Sequence, residues 1–378
     1  MLKHIWIAIS VLFFTTISFP QENYVFEHFS IPEGLSNPTV QSILQDSYGF
    51  LWVGTADGLN RYDGYEFKIY KNDPDDPKSL PAGGAMWTLA EDHDGNLWIG
   101  GQNILVRYDR KNDNFIPIQL DRSLTNASNL RVFKIFVDSK NRIWLNTRRN
   151  GIHLIDPETF STTAMRVFDN KGKEITPSAS FTIIETQQEE ILISDFVNGV
   201  LRYNEKENWF EVFNIPKLSR GGVIKIFEDD FNRLWIAYWK GNLLRYNPAT
   251  EQLETIDIYK SIKTEISDPT IFSIYKDQDG FLWFGTITTG LFKYNPVTDE
   301  FTHFYSDISK PNNLHGNGIS SILQDQFGIL WIGTFTSGLN KVDPKKQPFN
   351  VYRLPQELRK NNFDDNINAI TKIKNSDD

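Results

Sequence analysis

Short runs in which apolar and polar residues alternate fill most of this chain, the period of a half-buried strand. Val40 to Leu44, ValGlnSerIleLeu, is one of them. A polar turn from Asp46 to Gly49 follows, then a second run from Phe50 to Thr55 that carries Trp52. A short loop near Gly58 leads to a third run ending at Tyr62, and an aromatic run from Tyr65 to Tyr70 comes last. Almost no segment has a helical period. The pattern predicts a unit of four strands joined by tight turns.

The unit recurs. Aligned on Trp52, the equivalent positions are Trp98, Trp144, Leu192, Trp235, Trp283 and Trp331, at intervals of 46, 46, 48, 43, 48 and 48 residues. Six residues before each anchor stand Asp46, Asp92, Asp138, Thr186, Asp229, Asp277 and Asp325. Three before it stand Gly49, Gly95, Asn141, Glu189, Asn232, Gly280 and Gly328. Asp caps a tight turn by accepting from backbone amides two residues on, and Gly or Asn takes the positive φ that closes a hairpin. The fourth copy loses Asp, Gly and Trp together and is the degenerate unit. A period in the forties with recurring Trp and Gly predicts an all-β chain, a seven-bladed β-propeller of four-stranded antiparallel blades over residues 24–355. Two segments compete to complete the last blade. One is Phe26 to Phe29, which is similar to the outer run Phe301 to Phe304; the other is Phe349 to Leu354.

The ends of the chain differ from the repeats. Residues 1–20 carry Lys3 and then an apolar run from Ile5 to Phe14, which reads as a secretory signal peptide; the run is short for a membrane anchor. Residues 356–378 read as a linker and the first strand of a further blade, because Ile370 to Asp378 matches an inner run and its opening turn. A strand stopping there would leave an unpaired edge, so the chain is expected to be a fragment or truncated product of a longer one.

Repeats of the form D-x-x-G-x-L-W-[IVF]-G-T-x-x-x-G-L-x-[RK]-Y resemble two-component regulator propeller repeats, and GluGlyLeuSerAsnProThrVal, Glu33 to Val40, resembles the usual start of those proteins. The resemblance covers residues 24–378. It implies the N-terminal propeller of a periplasmic sensor region from a Bacteroidetes-type hybrid two-component system. There, a second propeller, an immunoglobulin-like domain, a membrane helix and a histidine kinase follow, and many members sense oligosaccharides. This chain has no kinase phospho-acceptor motif, ATP lid or receiver Asp cluster, so the kinase activity of the relatives is not expected of it.

Composition changes the picture in three ways. A net charge of -9 argues against nucleic acid as a partner. The absence of cysteine excludes disulfides and thiolate metal sites. The six histidines show no metal-ligand spacing, and the AspXaaXaaGly turns read as hairpins rather than calcium loops, which need more carboxylates. No metal, cofactor or catalytic residue is expected, and there is no GxSxG elbow or Walker loop.

Ligand binding fits a propeller better. The copies disagree in the loops between second and third strands and in the loops entering each blade, which gather around the channel mouth. Tyr238 and Trp239 stand where other copies have GlyThr and are the leading candidates, since aromatic faces stack on sugar rings. Arg148 and Arg149 suit a carboxylate or sulfate. Asn37, Trp87, Arg131, Arg220 and His315 join them from the incoming loops. The reading is an oligosaccharide-sensing propeller. The alternatives are a spacer or homodimer-forming propeller without a ligand and, less favoured, a propeller glycan lyase or hydrolase.

Overall fold

A computed structural model describes residues 24–345, apart from 119–129, 149–150, 180, 261, 263–265, 308 and 311. The expected leader at 1–20, the competing outer strand Phe349 to Leu354 and the segment 356–378 lie outside the described residues. Within Val25–Pro344, each repeat forms one sheet, antiparallel but for one added strand in blade 4. The inner strands of blades 1 to 7 are Val40–Gln45, Met86–Glu91, Val132–Val137, Ile183–Glu185, Val223–Glu228, Ile271–Lys276 and Ile319–Gln324. Each contacts the next, and the last contacts the first, so the seven sheets close around a central channel.

Blade 7 is completed by Phe26–Phe29, which pairs antiparallel with Leu339–Val342. Of the two competing segments, the N-terminal one holds the slot. Phe29 then packs on Trp331 of blade 7 and on Tyr62 and Phe67 of blade 1, with ring centroids 5.8–6.1 Å apart. A side-chain bond also spans the seam: Gln326 N–H donates to Gln45 Oε1 at 2.8 Å.

The recurring Asp does more than cap its turn. In six blades its Oδ1 accepts two backbone N–H groups of the turn, and its Oδ2 accepts the indole N–H of the Trp six residues on. For Asp277 these are Asp279 N at 3.1 Å, Phe281 N at 2.9 Å and Trp283 Nε1 at 2.7 Å. The same Asp–Trp bond measures 2.7–2.9 Å at Trp52, Trp98, Trp144, Trp235 and Trp331. A buried indole N–H left alone would cost about 1–3 kcal/mol, so Asp and Trp stand or fall as a pair. Each indole lies between its own blade and the next, as where Trp52 meets Tyr108 at 5.0 Å and Trp235 meets Tyr294 at 5.0 Å.

Blade 4 departs from four strands. Val167–Phe168 runs parallel beside its outer strand Trp209–Val212, making five. The sequence reading of four strands in every blade is corrected there: the long connection out of blade 3 finds an open sheet edge and pairs with it.

Candidate functional site

The channel lining begins with a recurrent irregularity. Where each inner strand starts, its pairing with the second strand slips by one residue. Gln41, Trp87, Phe133, Ile224, Phe272 and Ser320 are each passed over in the ladder. Phe181 holds the matching place in blade 4, one residue before Thr182, whose carbonyl accepts Ser194 N–H at 3.0 Å. A bulge turns its side chain away from the regular alternation. Trp87, Phe133, Phe181 and Phe272 thereby line a cavity of about 590 Å³ along the channel. Their rings form a continuous arc, with centroids at 5.2, 4.9 and 6.3 Å. Phe335, on the second-to-third strand loop of blade 7, extends it from Phe272 at 5.1 Å. The arc therefore sits at the end of the channel that carries the variable loops.

One residue deeper, the inner strands present Ser42, Thr88, Lys134, Thr182, Lys225, Ser273 and Ser321, all lining the same cavity. Lys225 Nζ donates to Phe181 O at 3.3 Å and lies 5.0 Å from the centre of the Phe272 ring. Burial, reinforced by the charge of Lys134, pushes the Lys225 ammonium down to about 7; burial lowers Lys134 as well. No carboxylate and no imidazole lines this cavity among the described residues.

The residues expected from sequence separate into groups. Trp87 is in the aromatic arc. Tyr238 and Trp239 border the loop that carries Arg220: Tyr238 Oη donates to Ser219 O, and Trp239 N–H donates to Gly222 O at 2.8 Å. Burial raises the Tyr238 hydroxyl to about 12, so it stays a neutral donor. The GlyThr alignment is corrected here. Val223 pairs with Tyr238 as Val40 pairs with Thr55, which puts Ala237 at the glycine site and Trp239 first in the loop. Trp239 is 42% exposed, and Arg220 is exposed. Arg148 is exposed beside Arg131, its N–H donating to Arg131 O at 3.0 Å, while Arg149 lies outside the described residues. Asn37 is turned inward on its own loop, accepting Thr39 N–H at 2.9 Å. His315 lies against His28, in the outer strand of blade 7, with ring centroids 4.4 Å apart and the planes tilted by 38°.

Sequence reasoning missed Phe133, Phe181, Phe272, Lys134 and Lys225. The available signal was the aromatic residue opening four of the seven inner runs, followed by a small hydroxyl in five units and lysine in two.

The fold and site define a class: a closed seven-bladed propeller with an aromatic-collared, lysine-bearing channel and variable loops around its mouth. Four stretches, residues 34–57, 79–103, 265–288 and 313–336, match the family model described as two component regulator propeller. These four stretches are similar to the repeats of that family. Over 82 residues, 21% of this chain, it is 45% identical to histidine kinase P4 of Formosa agariphila. It spans 6% of that kinase. The extracellular domain of a hybrid two component system of B. thetaiotaomicron aligns over 85% of this chain and 42% of its own length, at 25% identity and TM-score 0.69. Virginiamycin B lyase of Staphylococcus aureus shares the fold alone, with TM-score 0.58 at 14% identity over 85% of this chain and 99% of the lyase. No helix among the described residues is long and apolar enough to cross a membrane.

Proposed function

We propose that this propeller is the ligand-recognising part of a periplasmic two-component sensor and that it takes an oligosaccharide at the channel mouth. The observation that carries the reading is the arc of Trp87, Phe133, Phe181 and Phe272 at the loop-bearing end of a 590 Å³ cavity. Cavities of roughly 300–1,000 Å³ with aromatic walls and a few polar groups are the usual form of a small-ligand site. Stacking on a sugar ring uses the apolar ring face and leaves its hydroxyls to polar loop residues such as Arg220, Arg148 and the Tyr238 hydroxyl. Among the described residues no carboxylate pair lines the cavity, which favours recognition over glycan hydrolysis, a reaction that needs two such groups. Signalling partners, a second propeller and a kinase among them, belong to the longer relatives and enter here by analogy.

A thermal-shift screen of the purified chain against neutral and acidic oligosaccharides tests the proposal. The expected result is a saturable rise in Tm with at least one sugar, abolished in Trp87→Ala and weakened in Trp239→Ala. A well-folded sample that responds to no sugar overturns the oligosaccharide assignment and leaves a spacer or dimerisation role.

A further inference from the structure

The two channel lysines set blades 3 and 5 apart from the rest. At their depth the other five blades present Ser or Thr. Three arginines elsewhere are matched with acids: Arg110 with Asp46 and Glu91, Arg142 with Asp138 and Glu205, Arg245 with Glu254 and Asp299. Lys134 Nζ has no hydrogen bond or ion pair among the described residues, and Lys225 has only a carbonyl and a ring face. Two like charges enclosed by protein without a counter-ion are costly, and the cost falls when one loses its proton or when an anion joins them.

Unpartnered polar groups occur in the same cavity lining and across the ladder from Lys134. Ser273 and Ser320 are 7% and 5% exposed, line the cavity, and have Oγ atoms without a hydrogen-bond partner; Ser321 Oγ is in the same state. Asn146, across the ladder from Lys134, is fully buried with both amide atoms unpartnered. A native protein seldom leaves so many buried polar atoms unmatched in one place unless a ligand, ion or water matches them.

We propose that Lys134 and Lys225 form an oxyanion site inside the channel, beneath the aromatic arc, and that the ligand presents a carboxylate or sulfate to it. As a statement about the ligand class this rests on the oligosaccharide reading; as a statement about an anion it does not. The unpartnered serines on blades 6 and 7 supply hydroxyl donors at nearly the same level. In the sugar-bearing form, a uronate or sulfated ring stacks on Trp87, Phe133, Phe181 or Phe272 while its acid group reaches the ammonium pair. A charge-assisted bond in this enclosed place outweighs one on the surface, because little water competes for either partner.

Calorimetric titration of the purified chain near pH ~6.5 with inorganic sulfate, a digalacturonate and a neutral galactobiose separates the two readings. The expected result is digalacturonate binding that weakens about tenfold or more in Lys134→Met and in Lys225→Met and is kept in the corresponding Arg variants. Sulfate binding with the same lysine dependence, while neither sugar binds, upholds the anion site and overturns the oligosaccharide reading. Galactobiose binding as tightly as digalacturonate, unchanged in both Met variants, overturns the anion site and leaves the sugar reading standing. Absence of binding by both sulfate and digalacturonate also overturns it. Should the Met variants fail to fold, the unsubstituted protein decides: affinity for digalacturonate falls between about pH 6 and about pH 8 as Lys225 discharges, and equal affinity at both overturns the proposal. Lys134 and Tyr275 are the other titratable groups lining the channel there; burial raises the Tyr275 hydroxyl, which stays neutral in that range.

Discussion

Six blades of this propeller carry the Asp–Trp clasp and blade 4 does not, yet all seven fold. In a regular blade one carboxylate organises the turn and fixes an indole against the next blade. In blade 4, Thr186 Oγ1 accepts only Glu190 N–H, at 3.1 Å, and Leu192 stands in for the indole. What is missing shows as space: a cavity of about 350 Å³ opens between blades 4 and 5, lined by Thr186, Leu192, Phe213, Leu234 and Asn247 among others. The clasp therefore fills and stiffens the joint between neighbours, while strand pairing alone suffices to form a blade. Departures from the repeat fall in blade 4 and its two neighbours. Blade 3 has Lys134, blade 4 has its fifth strand, and blade 5 has Lys225 and the Tyr238 loop.

The contrast can be broken from the strong side first. Asp277→Ala strips three donors of their acceptor, one of them a buried indole, and should cost about 3 kcal/mol of stability. Thr186→Ala removes one bond at a half-buried amide and should cost about 1 kcal/mol or less. Denaturant unfolding of the two variants beside the parent measures both. Equal losses would mean that the clasp contributes no more than an ordinary turn bond.

The weak side can be repaired. Thr186→Asp with Leu192→Trp places the absent pair beside the 350 Å³ cavity and should stabilise by about 1 kcal/mol, the usual gain from filling a void. Leu192→Trp alone should gain less, because its indole N–H meets a hydroxyl instead of a carboxylate. A double-mutant cycle on thermal unfolding reads the coupling between the two positions. A coupling near zero would show that blade 4 no longer has the geometry of its neighbours.

Blade number, strand order and the degenerate copy were legible because Asp46, Trp52 and their equivalents recur at a fixed spacing, and recurrence needs no tertiary knowledge. The Asp–Trp bond was present in the same alignment but unread: the carboxylate was assigned to the turn, although Thr186 and Leu192 change together. The closing strand was not legible, since Phe26–Phe29 and Phe349 to Leu354 carry the same alternation and only pairing across the whole chain length selects one. The channel was hidden for a different reason. Strict alternation places Phe133 and Lys134 on opposite faces, and the bulge that turns both toward the channel lies in the register with the second strand. Among the loop residues, Tyr238 and Trp239 stood out in the sequence because the repeat departs there.

A second contrast sets blade 5 against blade 7 at one channel position, Lys225 against Ser321. Lys225 is lowered by burial, and then by Lys134, to about 7 in the folded protein, against an unfolded value near 10.5. Between these values the unfolded chain binds a proton that the folded one does not, so unfolding takes up protons and stability rises with pH. Below about 7 both states are charged, and the folded state bears the full cost of an ammonium without a counter-ion. From pH ~7 to ~9.5 the rise attributable to this residue should be of the order of 1 kcal/mol or somewhat more, allowing for solvent within the channel. Lys225→Met should raise stability at pH ~7 and flatten the slope, while Ser321→Ala should leave the slope untouched. A parent protein whose stability is flat or falling across this range, with Lys225→Met following the same curve, would mean that the channel solvates both ammonium groups well, and blade 5 would then differ from blade 7 in sequence only.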